Sequence, residues 1–440
     1  MGRLSGSRIP RFARVPFVLA AAAAMVAALS MSGCENSLQS YLFKYLFYDG
    51  WMIDSWTEPA FLVDGETHEA PEPPDLSNGF PMGMAVGDNG RVHVIGHRVS
   101  EFQWVYTRKS PDADRFDQAF TVVADAIRPG ATFYNMPHVN PVAGDSLMIA
   151  YSDEVFDGIE SDHLIFQEYV DGSGWKAAED LYGPGGPDIT QAFVFFMTAD
   201  YKPHLFYVSD GSLYHTVRKT GSTIDPYPPD ELASDVSGAD MEELGSDDLA
   251  IVTVDAAGAK LSYTTFKGGQ PEEIWSTPDA KTQIAHVDMA VDADGNVHVC
   301  FLTRDVDDPL DQELAAIRYL CNAGGAWKDM GSIRGTKESG PNPIMPISLA
   351  LSRDKYGAPR VHLVYTLYKP VNFYLWYAYY DQGGWHVAEE TLDETYTNSF
   401  WTYGTAVADG EGNLHIVYSW AAAETERTLM YIRGTPKEPQ

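Results

Sequence analysis

The feature that most constrains the fold is a strand motif that recurs along the chain at intervals of about 50 residues, or at multiples of that length. In GRVHVIG, GNVHVCF and GNLHIVY a histidine follows a turn glycine and begins an alternating apolar strand. Degenerate copies centred on Met148 and Ala250 fill the two long gaps and bring the number of units to seven. A repeat of this length indicates supersecondary units that cannot bury their apolar faces alone. The histidines at this position are His93, His204, His298, His362 and His415.

Each unit has the same internal order of four short segments. An apolar run such as HVDMAVD comes first, followed by an Asp/Gly turn and the histidine strand. A third segment ends near a tyrosine, as in AIRYLC, and a fourth carries a tryptophan, as in GGAWKDM. Short strands rich in Val, Ile, Tyr and Phe between Gly/Asp turns indicate an all-β fold. Four strands in each of seven units predict a seven-bladed β-propeller.

The two ends of the chain fit together in this scheme. The seventh unit stops after its third strand at Met430–Arg433 and lacks a tryptophan strand. The segment Asp49–Glu58 resembles the tryptophan strand within Tyr380–Glu390. We therefore predict that this N-terminal segment becomes the outer strand of the last blade and closes the ring, which removes an exposed edge. Residues 49–434 would then form a single domain.

The first 34 residues are predicted to lie outside the propeller. A basic stretch precedes Val15–Ser30, an apolar run shorter than the ~20 residues that a spanning helix needs. The segment Leu29–Cys34 (LSMSGC) resembles the lipobox of bacterial lipoproteins. The resemblance implies cleavage of residues 1–33, lipidation of Cys34 and a short aromatic tether over residues 34–48. Because Glu35 is not aspartate, it also implies an outer-membrane protein facing the periplasm or the cell surface. The alternative is an ordinary secretory signal.

The chain is strongly acidic, with 62 Asp and Glu against 30 Lys and Arg and a formal net charge of −32. The segment predicted to be removed contains arginines but no acidic residue, so the mature protein would be more acidic still. Nucleic acids and anionic lipids are bound through basic patches. The composition therefore argues against both as partners and fits neutral or cationic ligands, although solubility alone also explains an acidic surface.

Two cysteines besides Cys34 fall in the fifth unit. Cys300 and Cys321 lie on its second and third strands, and they would face each other if the pairing were centred between Leu310 and Asp311. A disulfide is allowed in an oxidising compartment. A shift of the register by one or two residues would separate the two sulfurs beyond bonding reach, so both outcomes remain open.

The repeated histidines occupy one position of the unit, so they are spread around the ring rather than clustered. We expect a structural role, with a ring nitrogen bonded to a backbone group of the next blade. The turn Asp292–Asn296 resembles the start of a calcium loop, but Thr303 stands where an EF-hand requires Glu. A hairpin turn explains the same residues. No metal site is predicted, and Ca²⁺ is the one cofactor left open.

The turns also resemble the Asp-box repeats of sialidase-like propellers. Only Ser352–Gly357 approaches the pattern Ser-x-Asp-x-Gly-x-x-Trp, with one extra residue, and the sialidase arginine triad is not found in the mature chain. The looser order of Asp-x-x-Gly-x-x-His, apolar strand and Tyr is similar to the repeat propellers of bacterial polysaccharide lyases, unusual glycosidases and lectins. The strand HVIGHR, with His93 and His97, matches the first histidine strand of that group. This resemblance implies the fold more than a particular function.

The ligand face of a propeller is built from the entrances to the first strands and from the loops between the second and third strands. Aromatic, histidine, cationic and polar side chains meeting there suit a sugar or a peptide. Asp240 lies at one such entrance. The candidate binding residues are His97, Arg98, Tyr134, His138, Asp153, Gln191, His286, Arg304, Lys369, Trp401, Tyr403 and Trp420.

These observations favour a lipid-anchored, monomeric propeller of the cell envelope that binds a glycan or an envelope protein without catalysis. The alternative is a carbohydrate-active enzyme, a polysaccharide lyase or glycoside hydrolase, with its site in the axial funnel. In that case His97, His138 or His286, together with Tyr134 or Tyr403, would supply the base and the acid.

Overall fold

The computed structural model describes most of the propeller. The predicted signal, the tether and Cys34 lie outside the described residues. The described ranges are 53–56, 60–61, 68–69, 82–98, 103–113, 116–117, 121–124, 138–154, 162–182, 186–219, 223–245, 247–306, 316–334, 342–353, 359–369, 372–381, 384–388, 393–395, 404–423 and 426–436.

The described strands form seven antiparallel sheets in a ring, with no helix among them, so the predicted seven-bladed β-propeller is confirmed. In each blade, successive strands run from the axis outward, and the first strands of all seven blades line the axis. The strands Ile53–Trp56 through Glu426–Pro436 belong to one compact unit. Within the described part of the chain, no helix has the length and apolar character needed to cross a membrane.

Blades 1 to 4 follow one another along the chain. Blade 1 consists of Met82–Val86, Val92–Arg98, Gln103–Lys109 and Thr121–Ala124. Blade 2 consists of His138–Ala143, Ser146–Glu154, Asp162–Val170, Gly174–Trp175 and Glu179–Asp180. Blade 3 consists of Ile189–Met197, Lys202–Ser209, Ser212–Lys219 and Thr223–Ser234. Blade 4 consists of Val236–Gly245, Asp248–Asp255, Lys260–Thr265 and Glu272–Ser276.

Blades 5 to 7 complete the ring. Blade 5 consists of Thr282–Val291, Val297–Asp305, Ala316–Cys321 and Lys328–Arg334. Blade 6 consists of Asn342–Arg353, Pro359–Lys369, Asn372–Asp381, Gly384–Val387 and Asp393–Thr395. Blade 7 consists of Gly404–Ala408, Leu414–Ala423 and Glu426–Pro436, joined by Ile53–Trp56, Ala60–Phe61 and His68–Glu69.

The predicted closure of the ring is also confirmed. Ile53–Trp56 pairs antiparallel with the end of the third strand of blade 7, with Ser55 opposite Thr435 and Trp56 opposite Gly434. Ala60–Phe61 continues along the same strand. A segment from the start of the chain therefore covers the outer edge of the last blade, so that edge is not left open for pairing with another molecule.

The hydrophobic core is divided into clusters that lie between neighbouring blades. Between blades 5 and 6, for example, Cys300, Tyr319, Leu363 and Tyr365 are buried together, and Trp385 packs against them. Burial of each large apolar side chain contributes about 1.5–3 kcal/mol. No blade could bury these faces alone, which is why the repeat predicts a ring.

The repeated histidines are buried, but their partner is not the predicted one. Nε2 of His298 lies 3.3 Å from a carboxylate oxygen of Asp292 and donates to it, so Nδ1 accepts from the Tyr319 hydroxyl at 2.7 Å. The predicted bond to the backbone of the next blade is wrong, because a side chain of the third strand faces the histidine within the same sheet. This side chain is a tyrosine in four blades and, in blade 3, His215, whose Nε2 lies 3.0 Å from Nδ1 of His204. The histidine–tyrosine contact, at 2.7–2.8 Å, also joins His93 to Tyr106, His362 to Tyr377 and His415 to Tyr431.

The two propeller cysteines are buried and free. The strands pair Cys300 with Tyr319 and Cys321 with His298. This register is shifted by two residues from the one that would place the sulfurs opposite each other, so the disulfide that the sequence left open does not form.

Candidate binding channel at the propeller axis

A cavity of about 550 Å³ runs along the axis of the ring. The first strands of all seven blades contribute to its wall. This volume falls within the range of ~300–1,000 Å³ that is usual for sites that bind small molecules. The cavity is therefore the candidate site, and its chemistry depends on which side chains the seven first strands direct toward it.

Polar side chains at one level of the channel join blade 2 to blade 3 and link blades 4 to 7 in succession. We call this the latch level. In each first strand it lies two residues before the residue that pairs with the repeat histidine position. Asp240 Oδ2 accepts from Met289 N–H at 2.6 Å, and Asp288 Oδ2 accepts from Leu349 N–H at 2.6 Å. At the same level Ser348 Oγ accepts from Ala406 N–H at 3.0 Å and His138 Nδ1 accepts from Val194 N–H at 3.2 Å.

The latch level explains why polar residues stand in first strands that would otherwise be apolar. The first strand of each blade leaves backbone N–H groups facing its neighbour, and a buried N–H without an acceptor costs about 1–3 kcal/mol. Gln191 serves the same purpose two residues before the latch position of blade 3. Its side-chain oxygen accepts from Ala239 N–H at 2.7 Å, and its side-chain nitrogen donates to the Ala239 carbonyl at 3.2 Å. These side chains therefore hold the ring together before they do anything else.

Asp240 and Asp288 converge on one donor. Asp240 Oδ2 lies 2.6 Å and Asp288 Oδ1 lies 3.0 Å from the same nitrogen, that of Met289. Burial, followed by the charges of Asp288 and Glu242, holds the pKa of Asp240 well above its ordinary value. Burial likewise raises the pKa of Asp288 to about 6. Two like charges this close in a desolvated site disfavour each other, so the pair retains a proton that isolated carboxyls would lose.

A second acidic group lies one level further along the channel. We call this the histidine level, because its residues pair with the repeat histidine position: Asn140 pairs with Met148 and Glu242 with Ala250. Burial, with the charges of Asp288 and Glu243, raises the pKa of Glu242 to about 8. Asn140 Nδ2 donates to Glu243 Oε1 at 3.1 Å and so connects blade 2 to blade 4 across blade 3.

The opposite wall consists mostly of small residues, and Asp88 is the one carboxyl group among the described residues there. In a ring of seven, blade 4 faces the junction of blades 7 and 1. There the channel is lined by Gly83, Ala85, Thr405, Ala406 and Val407. The cavity is consequently two-sided, with carboxyl groups on blades 4 and 5 and an open, mostly apolar surface across from them.

The histidines of the channel carry no positive charge at neutral pH. Burial lowers the pKa of His286 to about 4, and it also lowers the pKa of His138 to about 4. Among the described residues that line the channel there is no lysine or arginine. The channel is therefore an acidic site without an internal counter-charge.

Three of the twelve predicted binding residues meet in this channel: His138, Gln191 and His286. Asp240, noted in the sequence at a strand entrance, joins them. Arg304 instead lies at the end of a second strand, opposite Gln283. The structure gives the strand positions but not the side chains of His97, Arg98, Asp153, Lys369 and Trp420. Tyr134, Trp401 and Tyr403 lie outside the described residues.

The sequence prediction missed Asn140, Glu242, Glu243, Asp288 and Ser348. These residues lie inside first strands, whereas the prediction considered only strand entrances and loops. The available signal was the pattern of alternate polar residues in GADMEELG and HVDMAVD, which an ordinary core strand would not tolerate.

Over the residues described here, no group of three or more His, Cys, Asp or Glu has an arrangement that could hold a metal ion. The oxygens of Asp292, which resembled a calcium ligand, accept hydrogen bonds from Asp294, Asn296 and His298. That arrangement is the one expected of a hairpin turn.

Comparison with known proteins assigns no family to this chain. No family model and no curated protein matches the sequence. The chain is similar to the intramolecular trans-sialidase of Ruminococcus gnavus (10% identity, 82% of this chain and 95% of that one, TM-score 0.42). It is also similar to the α-L-arabinanase of Penicillium chrysogenum (9%, 86% and 98%, 0.44) and to AofleA from Arthrobotrys oligospora (13%, 83% and 86%, 0.43). Likenesses this distant say nothing about ligand or activity, so what is established is a seven-bladed propeller with an acidic axial channel.

Proposed function

We propose that this protein is a lipid-anchored, non-catalytic binding module of the bacterial envelope that takes a glycan into its axial channel. The observation that carries the proposal is the use of the polar groups at the latch level. Asp240, Asp288, Ser348 and His138 each accept an N–H from the next blade, so the groups best placed for acid–base work are committed to holding the ring.

The channel suits a ligand in other respects. It has the volume of a small-molecule site, and its carboxyl wall and small-residue wall give it distinct polar and apolar sides. Because the latches and Gln191 tie the first strands of blades 2 to 7 together, the site is preformed and little entropy is lost on binding. An anchor at Cys34, shortly before the closing strand Ile53–Trp56, would hold the ring close to the membrane surface.

The test is binding and turnover measured on the same material. The chain from residue 35 onward, without the lipid, should bind glycans on an array and leave soluble polysaccharides intact. Removing the latch-level residue Asp288 by Asp288→Asn should weaken binding, while the exposed Glu272→Gln should not. Release of reducing or unsaturated ends from any polysaccharide would contradict the non-catalytic assignment. Absence of binding to every glycan would contradict the choice of ligand.

A second function is favoured by one specific observation, the shared proton of Asp240 and Asp288. A carboxyl that stays protonated beside an ionised one can donate a proton while its partner accepts one, although in most glycoside hydrolases the two carboxyls are about 5 Å or more apart. If the protein is a hydrolase, Asp240→Asn and Asp288→Asn should each abolish product formation while glycan binding persists. Activity that survives both changes would exclude this pair as the catalytic residues.

A further inference from the structure

One side of the histidine level offers hydrogen-bond acceptors in excess of donors. Asn140 and Glu242 stand there in blades 2 and 4, on either side of Phe195 in blade 3. Asn140 is only 7% exposed, and its Nδ2 is used by Glu243. Its Oδ1 has no hydrogen-bond donor among the described residues. A buried amide oxygen in this state costs about 1–3 kcal/mol. Because the oxygen is shielded from solvent, a small rotation of the side chain toward the cavity would bring it to a ligand that donates a hydrogen bond.

The charge around this oxygen is of one sign. Glu242, Glu243, Asp240 and Asp288 all line the same cavity. The lining residues that the structure describes include no lysine or arginine, and the channel histidines are neutral. A positively charged donor would meet carboxyl groups and the Asn140 amide oxygen together and would favour the ionised carboxyls, whereas an anionic group would be repelled by them.

We propose that the histidine level of the channel receives a primary ammonium group of the ligand, an inference that rests on the binding function proposed above. An –NH₃⁺ group has three N–H donors and no acceptor. Asn140 Oδ1, Glu242 and Glu243 are the three acceptors that complement it. Charge-assisted hydrogen bonds of this kind are about twice as strong as neutral ones. The uncharged part of the ligand would lie against the small residues of blades 7 and 1.

Binding of an ammonium group would release a proton from the channel. Burial raises the pKa of Glu242 to about 8, with contributions from Asp288 and Glu243, and a nearby cation favours the ionised form. The other titratable groups that line the channel are Asp88, Asp240 and the neutral His138 and His286. Because binding releases the proton of Glu242, the affinity for the ammonium group should rise by about tenfold per pH unit up to about pH 8.

Calorimetry on the soluble chain from residue 35 onward tests this directly. The probes are n-butylammonium and the neutral n-butanol. n-Butylammonium should bind at least about tenfold more tightly than n-butanol. Its binding should be tighter at about pH 8 than at about pH 6 and should release a proton. Glu242→Gln should remove that preference, and Glu243→Gln provides a second variant if the first does not fold. The matched control is Glu272→Gln, an exposed position on the outer strand of the same blade.

Further probes identify the source of the amine and separate this inference from the proposed function. Glucosamine is compared with N-acetylglucosamine, and the methylamide of Nα-acetyl-lysine with its ε-acetylated form. Binding of the free amine in only one of these pairs supports the inference and assigns the source. Equal binding of both members of each pair would overturn the ammonium site but leave the binding function standing. Binding of CaCl₂ that is lost in Glu242→Gln, with no amine binding, would also overturn it. If no probe and no glycan binds, the proposed function itself fails.

Discussion

Glu242 should make the propeller less stable as the pH rises, and Glu242→Gln should remove this effect. The folded pKa is about 8 against an ordinary value of 4.5. The folded state therefore holds a proton that the unfolded state has lost, and this contribution to stability disappears as the pH rises from about 4.5 to about 8. At about 1.4 kcal/mol per pH unit the upper bound is roughly 5 kcal/mol.

The Glu242 side chain is only partly buried, so solvent screens the carboxyl and we expect an effect of about 2–3 kcal/mol. For a domain of this size, the melting temperature changes by about 1 °C per kcal/mol. Scanning calorimetry at about pH 5 and about pH 9 should therefore show Glu242→Gln gaining roughly 2–3 °C on wild type at the higher pH only. Glu272→Gln should follow wild type at both values. A Glu242→Gln curve parallel to wild type across this range would refute the raised pKa.

Three further predictions concern the ring. Ser348→Ala leaves the buried Ala406 N–H without its acceptor and should lower the free energy of unfolding by about 1–3 kcal/mol. The control Ser237→Ala, at an exposed position, should lower it by less than about 0.5 kcal/mol. Equal losses for the two variants in denaturant titrations would argue against the latch. Burial lowers the pKa of His362 to about 3, so the free energy of unfolding of the wild type should fall as the pH drops below about 6.5. His362→Gln should lower this free energy at neutral pH but make its decline with pH less steep. An equally steep decline in the variant would contradict this prediction. Thiol titration of the denatured chain should find Cys300 and Cys321 both free, and a melting temperature lowered by reductant would contradict this.

The sequence was sufficient for the architecture because the repeat carries it. The recurring histidine strand, the tyrosine of the third strand and the unmatched tryptophan segment near Trp56 together indicated seven blades and the closing strand. Each of these signals is local, and each follows from the spacing of apolar residues and turns.

The details that depend on register were not accessible in the same way. The strand register is shifted by two residues from the one that would place Cys300 opposite Cys321. Four of the five repeated histidines bond a tyrosine within their own blade. The acidic channel was missed because GADMEELG looked like a degenerate copy of the repeat. Only the alignment of seven sheets shows that Glu242 and Asn140 reach the same level of the axis.

A crystal structure of the soluble chain in the presence of n-butylammonium would test the central claim most directly. The account predicts seven blades, with the nitrogen of the amine in the axial channel within hydrogen-bonding distance of Asn140 Oδ1 and the Glu242 carboxylate. An amine bound only on the outer surface, or a channel that contains water alone, would contradict it.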